Sequence, residues 1–448
     1  MQTMEEKILS RTAHIGVVGI GYVGLPLAVG FAKRGFKVSG IDVDTRKVDF
    51  INRGRSYIGD VSDEEVAPLV RAGKLSATTD YDVVRETDVI FICVPTPFDE
   101  MKTPDLSYVI AAARSIAPRL HRGHLVILQS TTYPGTTEEV VQPILENSGL
   151  KAGQDFYLAF SPERINPGDR EHTVENTPKV VGGVTPYCTE LAALVLAQLC
   201  PEVHKVSSPR VAEMSKLLEN IYRSVNIALV NELALLCERM GIDFWEVIEA
   251  ASTKPFGFMP FYPGPGVGGH CISVDPYYLL WKARQYDFYT KFIELAAEVN
   301  QSMPYHVVDL VSQALNFRGK TIKGAKILVL GVAFKKDVDD PRNSPAERVI
   351  ELLLERGATV EYNDPYVPRF TVGNNVFRRE KTVLNSRPLD EEILHWADCV
   401  VILAAHRPYD FRWITERASL IVDTVNATKG LGHNPKVFRL GAPIGNRR

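Results

Sequence analysis

Cysteines, long apolar runs and excess charge are all scarce in this chain. Only six cysteines occur among its 448 residues, and none has a Cys-x-x-Cys or zinc-like spacing, so we expect neither a disulfide scaffold nor a metal site. No apolar run approaches the roughly 18 residues of a membrane-spanning helix, and the N-terminus lacks a signal-peptide pattern. The net charge of -3 offers no basic surface for nucleic acid or anionic lipid. We therefore expect a cytoplasmic protein that binds small molecules.

A dinucleotide-binding motif follows a short apolar run near the N-terminus. Gly19, Gly21 and Gly24 form a Gly-x-Gly-x-x-Gly turn, then come an amphipathic stretch and a second apolar run that ends at Asp42. Strand, glycine turn, helix and acid in this order are typical of such a unit, whereas an ordinary βαβ turn is the alternative. The Asp42 carboxylate would accept hydrogen bonds from a ribose 2′-hydroxyl and repel a 2′-phosphate. The pattern predicts NAD rather than NADP.

Further apolar runs alternate with helical sequence, a pattern that predicts a parallel sheet covered on both faces.

Ser208-Pro209 and Gly241 bound a predicted helix of about 30 residues, long enough to connect two domains. Its apolar positions occupy more than one stripe, so we expect burial on several sides and a homodimer interface. The last third begins a second strand-turn-helix unit, in which Gly331 stands without its two partner glycines. The predicted fold is α/β, with two Rossmann-like parallel-sheet domains joined by a long central helix.

Two groups of polar residues stand out between and within these domains. Cys271 follows Gly-Val-Gly-Gly-His in a glycine-rich segment, so its thiol is a candidate nucleophile, with an incidental cysteine in a turn as the alternative. Lys216 and Asn220 share a helix face, either toward a ligand or on a solvated face where Lys216 pairs with Glu213 or Asn220. Lys335, Lys336 and Arg342 in the second unit would hold a phosphate by side chains, unless they are simply solvated.

Eight motifs then follow one another over nearly the whole chain: GIGYVGLP, VPTP, STTYPGTTEE, SPERINPGD, EMSKLLENI, STKPFGF, YPGPGVGGHC and FKKDVDDPR. As a set they resemble the UDP-glucose/UDP-N-acetylhexosamine 6-dehydrogenases, most closely the bacterial UDP-N-acetylglucosamine enzymes. The resemblance implies an NAD-binding Rossmann domain at 1–207, a central helical domain with the catalytic cysteine loop at 208–318, and a UDP-sugar-binding domain at 319–448. It also implies an NAD-dependent, four-electron oxidation of the sugar C6 alcohol to a carboxylate, in a pathway for surface polysaccharide precursors.

The resemblance assigns residues to three sets. The implied catalytic residues are Cys271, Lys216, Glu163, Asn220, Asp275 and Thr131. The implied cofactor-binding residues are Gly19, Gly21, Tyr22, Val23, Gly24, Asp42, Lys47, Thr96, Thr131 and Arg342. The implied substrate-binding residues are Glu163, Arg164, Lys216, Asn220, Tyr262, Gly264, Gly268 and Lys335.

The implied mechanism forms a thiohemiacetal and then a thioester on Cys271, so the aldehyde is not released. Lys216 and Asp275 assist removal of the hydroxyl proton, and Asn220 with Lys216 stabilises the oxyanion. Glu163 would be the general base that hydrolyses the thioester.

One position departs from the UDP-glucose branch, where a second glutamate stands four residues after the first. Here Pro167 occupies that place, which with His270 favours an N-acetylhexosamine substrate. UDP-glucose and UDP-N-acetylgalactosamine are the alternative substrates. A non-catalytic NAD or nucleotide-sugar sensor is the alternative from another functional class.

Overall fold

The computed structural model describes residues 2–99, 102–165, 171–269, 272, 274–432 and 434–443. The chain divides into two compact units, Met1–Glu219 with Tyr277–Tyr289, and Asn220–Pro276 with Thr290–Arg448. In the part of the chain that the structure describes, no helix is long and apolar enough to cross a membrane.

The strands are β1 (His14–Val18), β2 (Lys37–Ile41), β3 (Leu75–Thr78), β4 (Val89–Ile92), β5 (Leu125–Leu128), β6 (Tyr157–Phe160), β7 (Lys179–Gly183), β8 (Val203–Lys205), β9 (Lys326–Leu330), β10 (Thr359–Asn363), β11 (Arg369–Val372), β12 (Thr382–Asn385), β13 (Cys399–Ile402), β14 (Ile421–Asp423) and β15 (Val437–Arg439). The α-helices are α1 (Met4–Leu9), α2 (Gly24–Lys33), α3 (Thr45–Asn52), α4 (Asp63–Arg71), α5 (Ser107–Ile116), α6 (Gln142–Glu146), α7 (Pro186–Ala197), α8 (Pro209–Met240), α9 (Phe244–Ser252), α10 (Asp275–Arg284), α11 (Lys291–Phe317), α12 (Pro345–Glu355), α13 (Glu391–Trp396) and α14 (Phe411–Arg417). Short 3-10 helices lie at Tyr81–Glu86 and Ala117–Arg119, and a π-turn lies at Thr137–Val141.

The first unit contains the predicted parallel sheet, with strand order β3-β2-β1-β4-β5-β6-β7-β8. Strands β1, β4 and β5 are buried along their whole lengths, as expected of a sheet covered on both faces. Strand β7 pairs antiparallel to β6, which the sequence pattern did not predict. The chain order reverses between β1 and β4, so their carboxyl ends form the edge where such sheets bind ligands.

The second unit contains a smaller parallel sheet with order β10-β9-β13-β14-β15, and a separate hairpin of β11 and β12. Helices α11 and α12 pack on this sheet through Val307, Val311 and Leu353, which belong to one buried apolar cluster. The predicted second strand-turn-helix-strand unit is confirmed as β9, α12 and β10. Its chain order reverses between β9 and β13, which marks a second ligand-binding edge.

The long helix α8 begins and ends where the sequence predicts, but the expectation that it is buried on several sides is wrong. Its buried positions form one stripe, and that stripe carries the polar residues Glu213, Lys216, Asn220, Ser224 and Asn231. A second stripe is apolar and exposed, and consists of Val211, Met214, Leu218, Tyr222, Leu229, Leu233, Leu236 and Met240. The buried stripe also carries Ala212, Leu217, Ala228 and Ala234, and charged residues such as Arg223 and Glu232 lie on the exposed side. The helix thus buries several polar groups and exposes a row of large apolar side chains.

Candidate functional site

At each of the three glycines of the first motif, a different structural feature favours glycine. Gly19 has a φ of +88°, and a Cβ there would lie 2.7 Å from the Cys93 carbonyl oxygen. A Cβ on Gly24 would lie 1.9 Å from the Gly19 oxygen, so only glycine lets α2 approach the turn so closely. A Cβ on Gly21 would meet nothing within 4 Å. The backbone at Gly21 is thus open at the N-terminus of α2, which is the arrangement that accommodates a pyrophosphate.

The Asp42 carboxylate lies just after β2 and is oriented by three donors. It accepts hydrogen bonds from the Ile20 N–H at 3.1 Å and the Asp44 N–H at 2.9 Å, and pairs with the Lys47 ammonium at 3.0 Å. Lys47, an expected cofactor-binding residue, therefore contacts Asp42, the acid expected to bind the ribose. The donor set and the open glycine turn fit a dinucleotide whose ribose is recognised by a carboxylate. Tyr22 is exposed, and Val23 lies directly before α2.

The loops after β4 and β5 bring together two residues that the resemblance implied. The Thr96 hydroxyl donates to the Thr131 carbonyl at 2.7 Å, and the Ser130 hydroxyl donates to the Val94 carbonyl at 2.7 Å. Strand β4 pairs with β1, and β5 pairs parallel to β4, so Thr96 and Thr131 lie at the same edge of the sheet as the glycine turn.

Glu163 follows β6 at this edge and is buried against a lysine that the sequence interpretation missed. The Lys179 ammonium lies 2.9 Å from one Glu163 oxygen, and the Gln129 side-chain amide donates to the other at 2.9 Å. Arg164 turns away from them and pairs with Glu219 at 2.7 Å. In the sequence, Lys179 is a charged residue at the start of an apolar run, and such a residue normally lies at a solvent-exposed strand end. The sequence pattern alone therefore gave no reason to place Lys179 beside Glu163. The adjacency of β5, β6 and β7 is what brings Gln129 and Lys179 to Glu163.

The polar stripe of α8 contains a lysine with no partner. Lys216 is only 7% exposed, and none of the described residues forms a hydrogen bond or ion pair with its ammonium. Glu213 instead accepts from the Gly135 N–H at 2.6 Å and the Thr137 N–H at 2.9 Å. Burial raises the pKa of the Glu213 carboxyl, although the hydrogen bonds from Thr137 and Gly135 oppose this effect. The alternative of a solvated Lys216 is therefore wrong, and a buried cation without a partner indicates a ligand.

In the second unit, Asn220 and Asp275 form a buried pair. The Asn220 amide donates to the Asp275 carboxylate at 2.5 Å, and each side chain is nearly inaccessible to solvent. The structure thus joins two of the expected catalytic residues directly. Cys271 and His270, and also Pro167 in the first unit, lie outside the described residues.

The glycine-rich segment before Cys271 packs closely on the loop after β9. A Cβ on Gly268 would lie 2.7 Å from the Asn343 oxygen and 2.8 Å from the Phe334 Cβ, so glycine is required for this approach. The segment is also tied to α8, because the Gly264 N–H donates to the Asn231 side chain at 3.0 Å. Asn231 is a second residue that the sequence interpretation missed. Tyr262 is largely exposed and stacks on Trp245.

A cavity of about 310 Å³ lies at the carboxyl edge of the second sheet, next to this segment. It is lined by Gly264, Pro265, Gly266, Ala333, Phe334, Lys335, Lys336, Ser344, Pro345, Ala346, Leu403, Ala404, Ala405 and Val425. Lys335 and Lys336 give this cavity positive charge, as expected of a site for an anionic group. Arg342 forms two parallel hydrogen bonds with Asp340, at 2.8 and 2.7 Å.

The second sheet repeats the turn of the first but not its dinucleotide site. Gly331 has a φ of +81° and approaches Ala404 as Gly19 approaches Cys93. Asp364 follows β10 as Asp42 follows β2, but its carboxylate accepts from the Val332 N–H at 2.8 Å and pairs with His406 at 3.0 Å. Burial opposes ionisation, but the hydrogen bond and charge of His406 and the backbone donors outweigh it, so the pKa of Asp364 lies below its usual range. The Asp364 carboxylate is therefore already engaged by hydrogen bonds from groups of the protein itself.

Three family models match consecutive parts of the chain. All three describe the UDP-glucose/GDP-mannose dehydrogenase family: its NAD binding domain matches residues 13–200, its central domain 210–302 and its UDP binding domain 328–430.

Similar proteins act on several nucleotide sugars. A UDP-N-acetyl-D-glucosamine 6-dehydrogenase of Pseudomonas aeruginosa is 42% identical over 359 residues, which cover 80% of this chain and 84% of that protein. The structure of a UDP-D-ManNAc dehydrogenase from Pyrococcus horikoshii has a TM-score of 0.86 and 34% identity, and covers 96% of this chain and 100% of its own. An NDP-N-acetyl-D-galactosaminuronic acid dehydrogenase from Methanosarcina mazei has a TM-score of 0.80 and 32% identity, with all of both chains covered.

Proposed function

Because this chain belongs to the UDP-glucose/GDP-mannose dehydrogenase family and is an NAD-dependent UDP-sugar oxidoreductase, we propose that it oxidises the C6 alcohol of UDP-N-acetylglucosamine to a carboxylate. The observation that carries the chemistry is Lys216 on the buried side of α8, whose ammonium pairs with none of the described residues. The choice of sugar rests on 42% identity to a UDP-N-acetyl-D-glucosamine 6-dehydrogenase, together with Pro167 in the place of the second glutamate. The product would be a precursor of surface polysaccharide.

Cofactor binding is proposed for the carboxyl edge of the first sheet. Gly21 and the N-terminus of α2 would face the pyrophosphate, and Asp42 would accept from the adenosine ribose. The remaining proposed contacts are those of Gly19, Tyr22, Val23, Gly24, Lys47, Thr96, Thr131 and Arg342. Bound NAD supplies the electron acceptor for both oxidation stages.

The proton and charge transfers are proposed for three residues of α8 and α10. A base assisted by Lys216 and Asp275 takes up the C6 hydroxyl proton, directly or through water, as hydride leaves C6. The same Lys216 ammonium and the Asn220 amide then donate hydrogen bonds to the sugar oxygen when it carries negative charge. The observed Asn220–Asp275 hydrogen bond supports this assignment, because it orients the amide that would donate.

Covalent chemistry is proposed for Cys271. Its thiolate attacks the C6 carbonyl to give a thiohemiacetal, whose oxidation yields a thioester. Thr131 and Glu163 position a water molecule, and the Glu163 carboxylate takes its proton as the thioester is hydrolysed. The C–S bond breaks, so Cys271 leaves as the thiolate and is ready for the next cycle.

The UDP end of the substrate is assigned to the second unit. Lys335 lines the cavity together with Gly264, so a phosphate there would meet an ammonium and an accessible backbone. Gly268 holds the glycine-rich segment against the loop after β9. Arg164 and Tyr262 complete the proposed substrate contacts. We keep the boundaries 1–207, 208–318 and 319–448 as the proposed functional domains.

A homodimer formed through α8 is also proposed. Large apolar side chains repeat every three or four residues along the exposed side of this helix, and a second copy of the same stripe would cover them.

The test of the substrate assignment compares kcat/KM for NADH formation with UDP-N-acetylglucosamine, UDP-N-acetylgalactosamine and UDP-glucose. We expect the highest value for UDP-N-acetylglucosamine. A clear preference for UDP-glucose or UDP-N-acetylgalactosamine would overturn the assignment of the sugar and retain the chemistry. Binding of NAD and UDP-sugars without any NADH formation would instead support the non-catalytic sensor.

A further inference from the structure

Lys179 is a lysine whose side chain is completely buried. It opens β7, and its ammonium lies 2.9 Å from Oε1 and 3.2 Å from Oε2 of Glu163. Lysine is almost never fully buried unless its charge is paired, because removing an ammonium from water costs several kcal/mol. The pair therefore requires an explanation beyond the packing of β7.

Glu163 receives further donors from two other directions. The backbone N–H groups of Arg164 and Ile165 donate to Oε1 at 2.8 and 3.1 Å, and the Gln129 amide donates to Oε2 at 2.9 Å. Gln129 is itself oriented, because its oxygen accepts from the Cys93 thiol at 3.3 Å. All of these groups hydrogen-bond to the ionised carboxylate, and together they hold it in one orientation.

The charged and titratable groups around Glu163 come from four elements. Lys179 lies on β7, the Cys93 thiol follows β4, and Arg164 follows β6 but directs its guanidinium to Glu219 of α8 and to the Pro178 carbonyl. Burial, with the charge of Glu163 adding to it, raises the pKa of the Cys93 thiol, so this group is neutral. Among the described residues, Lys179 is therefore the cation that directly balances the Glu163 charge.

We propose that Lys179 is a positioning residue that holds the Glu163 carboxylate in the orientation needed to take the proton of water, and that hydrolysis of the thioester depends on this contact. The proposal rests on the proposed role of Glu163 as the base in that step. There, the oxygen of water bonds to the thioester carbon, the water proton passes to Glu163, and the C–S bond breaks to release the Cys271 thiolate. Without Lys179, the buried carboxylate would lose its counter-charge and two of its hydrogen bonds, so it would no longer be held in that orientation.

The experiment compares Lys179→Met and Lys179→Arg with the wild-type chain. We expect Lys179→Met to keep the rapid initial NADH formation and to lose at least about tenfold in steady-state rate at pH 7, because only hydrolysis is impaired. Mass spectrometry of the quenched enzyme should then detect an acyl group on Cys271. Lys179→Arg keeps a positive donor beside Glu163, so it should restore the steady-state rate and remove the accumulated acyl group.

Lys205→Met is the matched control, since Lys205 is an exposed lysine on the neighbouring strand β8 that pairs with Glu190. It should leave the steady-state rate unchanged and accumulate no acyl-enzyme. A folded Lys179→Met variant with the wild-type steady-state rate and no acyl-enzyme would overturn the inference alone. A wild-type chain that forms no NADH with any UDP-sugar would overturn the proposed function as well.

A second variant covers the case in which Lys179→Met does not fold. Lys179→Gln removes the buried charge but keeps a side-chain N–H group that can donate to Glu163, so it should fold. Its steady-state rate should fall below that of the wild type, and an acyl group should accumulate on Cys271. A folded Lys179→Gln variant with the wild-type rate and no acyl-enzyme would contradict the inference.

Discussion

At the scale of single residues, two buried lysines of the first unit are in opposite electrostatic situations. Lys179 is balanced by Glu163 at 2.9 Å, whereas none of the described residues balances Lys216. A buried ammonium without a partner destabilises the folded chain, so its presence indicates a use in binding or catalysis. Replacing the lysine by methionine should therefore have different consequences at Lys179 and at Lys216.

The first prediction concerns Lys216→Met. We expect kcat to fall by about 10²- to 10³-fold, as for loss of an oxyanion donor, while the melting temperature stays unchanged or rises. Lys179→Met is the comparison, and should lower the melting temperature because it leaves Glu163 without its counter-charge. Stopped-flow kinetics and calorimetry provide the two measurements. A Lys216→Met variant with wild-type kcat would exclude Lys216 from the reaction.

The second prediction concerns the choice between NAD and NADP. The Ile20 and Asp44 N–H groups donate to different oxygens of Asp42, so Asp42→Asn keeps an acceptor for one of them, and it removes the charge that repels a 2′-phosphate. The ratio of kcat/KM with NAD to that with NADP should fall by about tenfold or more. Asp44→Asn is the control, because this neighbouring acid caps α3 and asparagine caps equally well. An unchanged ratio in Asp42→Asn would show that another group selects the cofactor.

At the scale of elements, the sequence predicts most reliably where the signal is local. The glycines at 19, 21 and 24 are close in sequence, so the turn, α2 and Asp42 could be predicted together. The contacts of Glu163 could not be predicted, because they depend on β7 pairing antiparallel to β6. This pairing brings Lys179 next to Glu163. The limits of α8 were also predictable from Pro209 and Gly241. The apolar stripes of α8 also predicted an interface, but not which stripe faces the core, since periodicity does not distinguish a core-facing stripe from an interface.

The third prediction concerns this exposed apolar stripe. The double variant Leu229→Glu/Leu233→Glu should be monomeric at micromolar concentration, whereas the wild-type chain should be dimeric, because two buried carboxylates on each helix would oppose association. Glu232→Gln changes an exposed residue on the same turn of the helix and should not alter the mass measured by light scattering. A monomeric wild-type chain would contradict the proposed dimer.

The fourth prediction concerns the loop after β9, which Asp364 and His406 support. Because the pKa of Asp364 is lowered by folding, its contribution to stability is present above the unfolded value of about 3.9 and is lost as the pH falls through the lower folded value. Asp364→Asn should therefore lower the free energy of unfolding at pH 7 by about 1–3 kcal/mol, and the difference should shrink below about pH 4. Urea denaturation at a series of pH values between 7 and 3 measures this difference in the free energy of unfolding.

Asp309→Asn is the control for this pH series, because Asp309 is an exposed acid paired with Arg356. It should change the free energy of unfolding by less than about 1 kcal/mol at every pH. A difference between Asp364→Asn and the wild type that persists unchanged to pH 3 would contradict the assigned ionisation.

At the scale of the whole molecule, two parallel sheets with the same turn serve two different ligands. The first keeps its dinucleotide features at Gly21 and Asp42. The second has lost them, because Asp364 is occupied by His406 and backbone donors, and it has a cavity with Lys335 and Lys336 instead. This division accounts for one NAD-binding domain and one UDP-binding domain in a single chain.

The most direct test of the proposed four-electron oxidation is the amount of NADH formed per UDP-N-acetylglucosamine consumed, with the product identified by its mass. The account predicts two NADH per sugar, and a product with one oxygen more and two hydrogens fewer than the substrate. It also predicts that Cys271→Ser forms at most one NADH per sugar and releases no acid. A wild-type enzyme that forms one NADH and releases the aldehyde, or a Cys271→Ser variant that still forms two NADH, would contradict it.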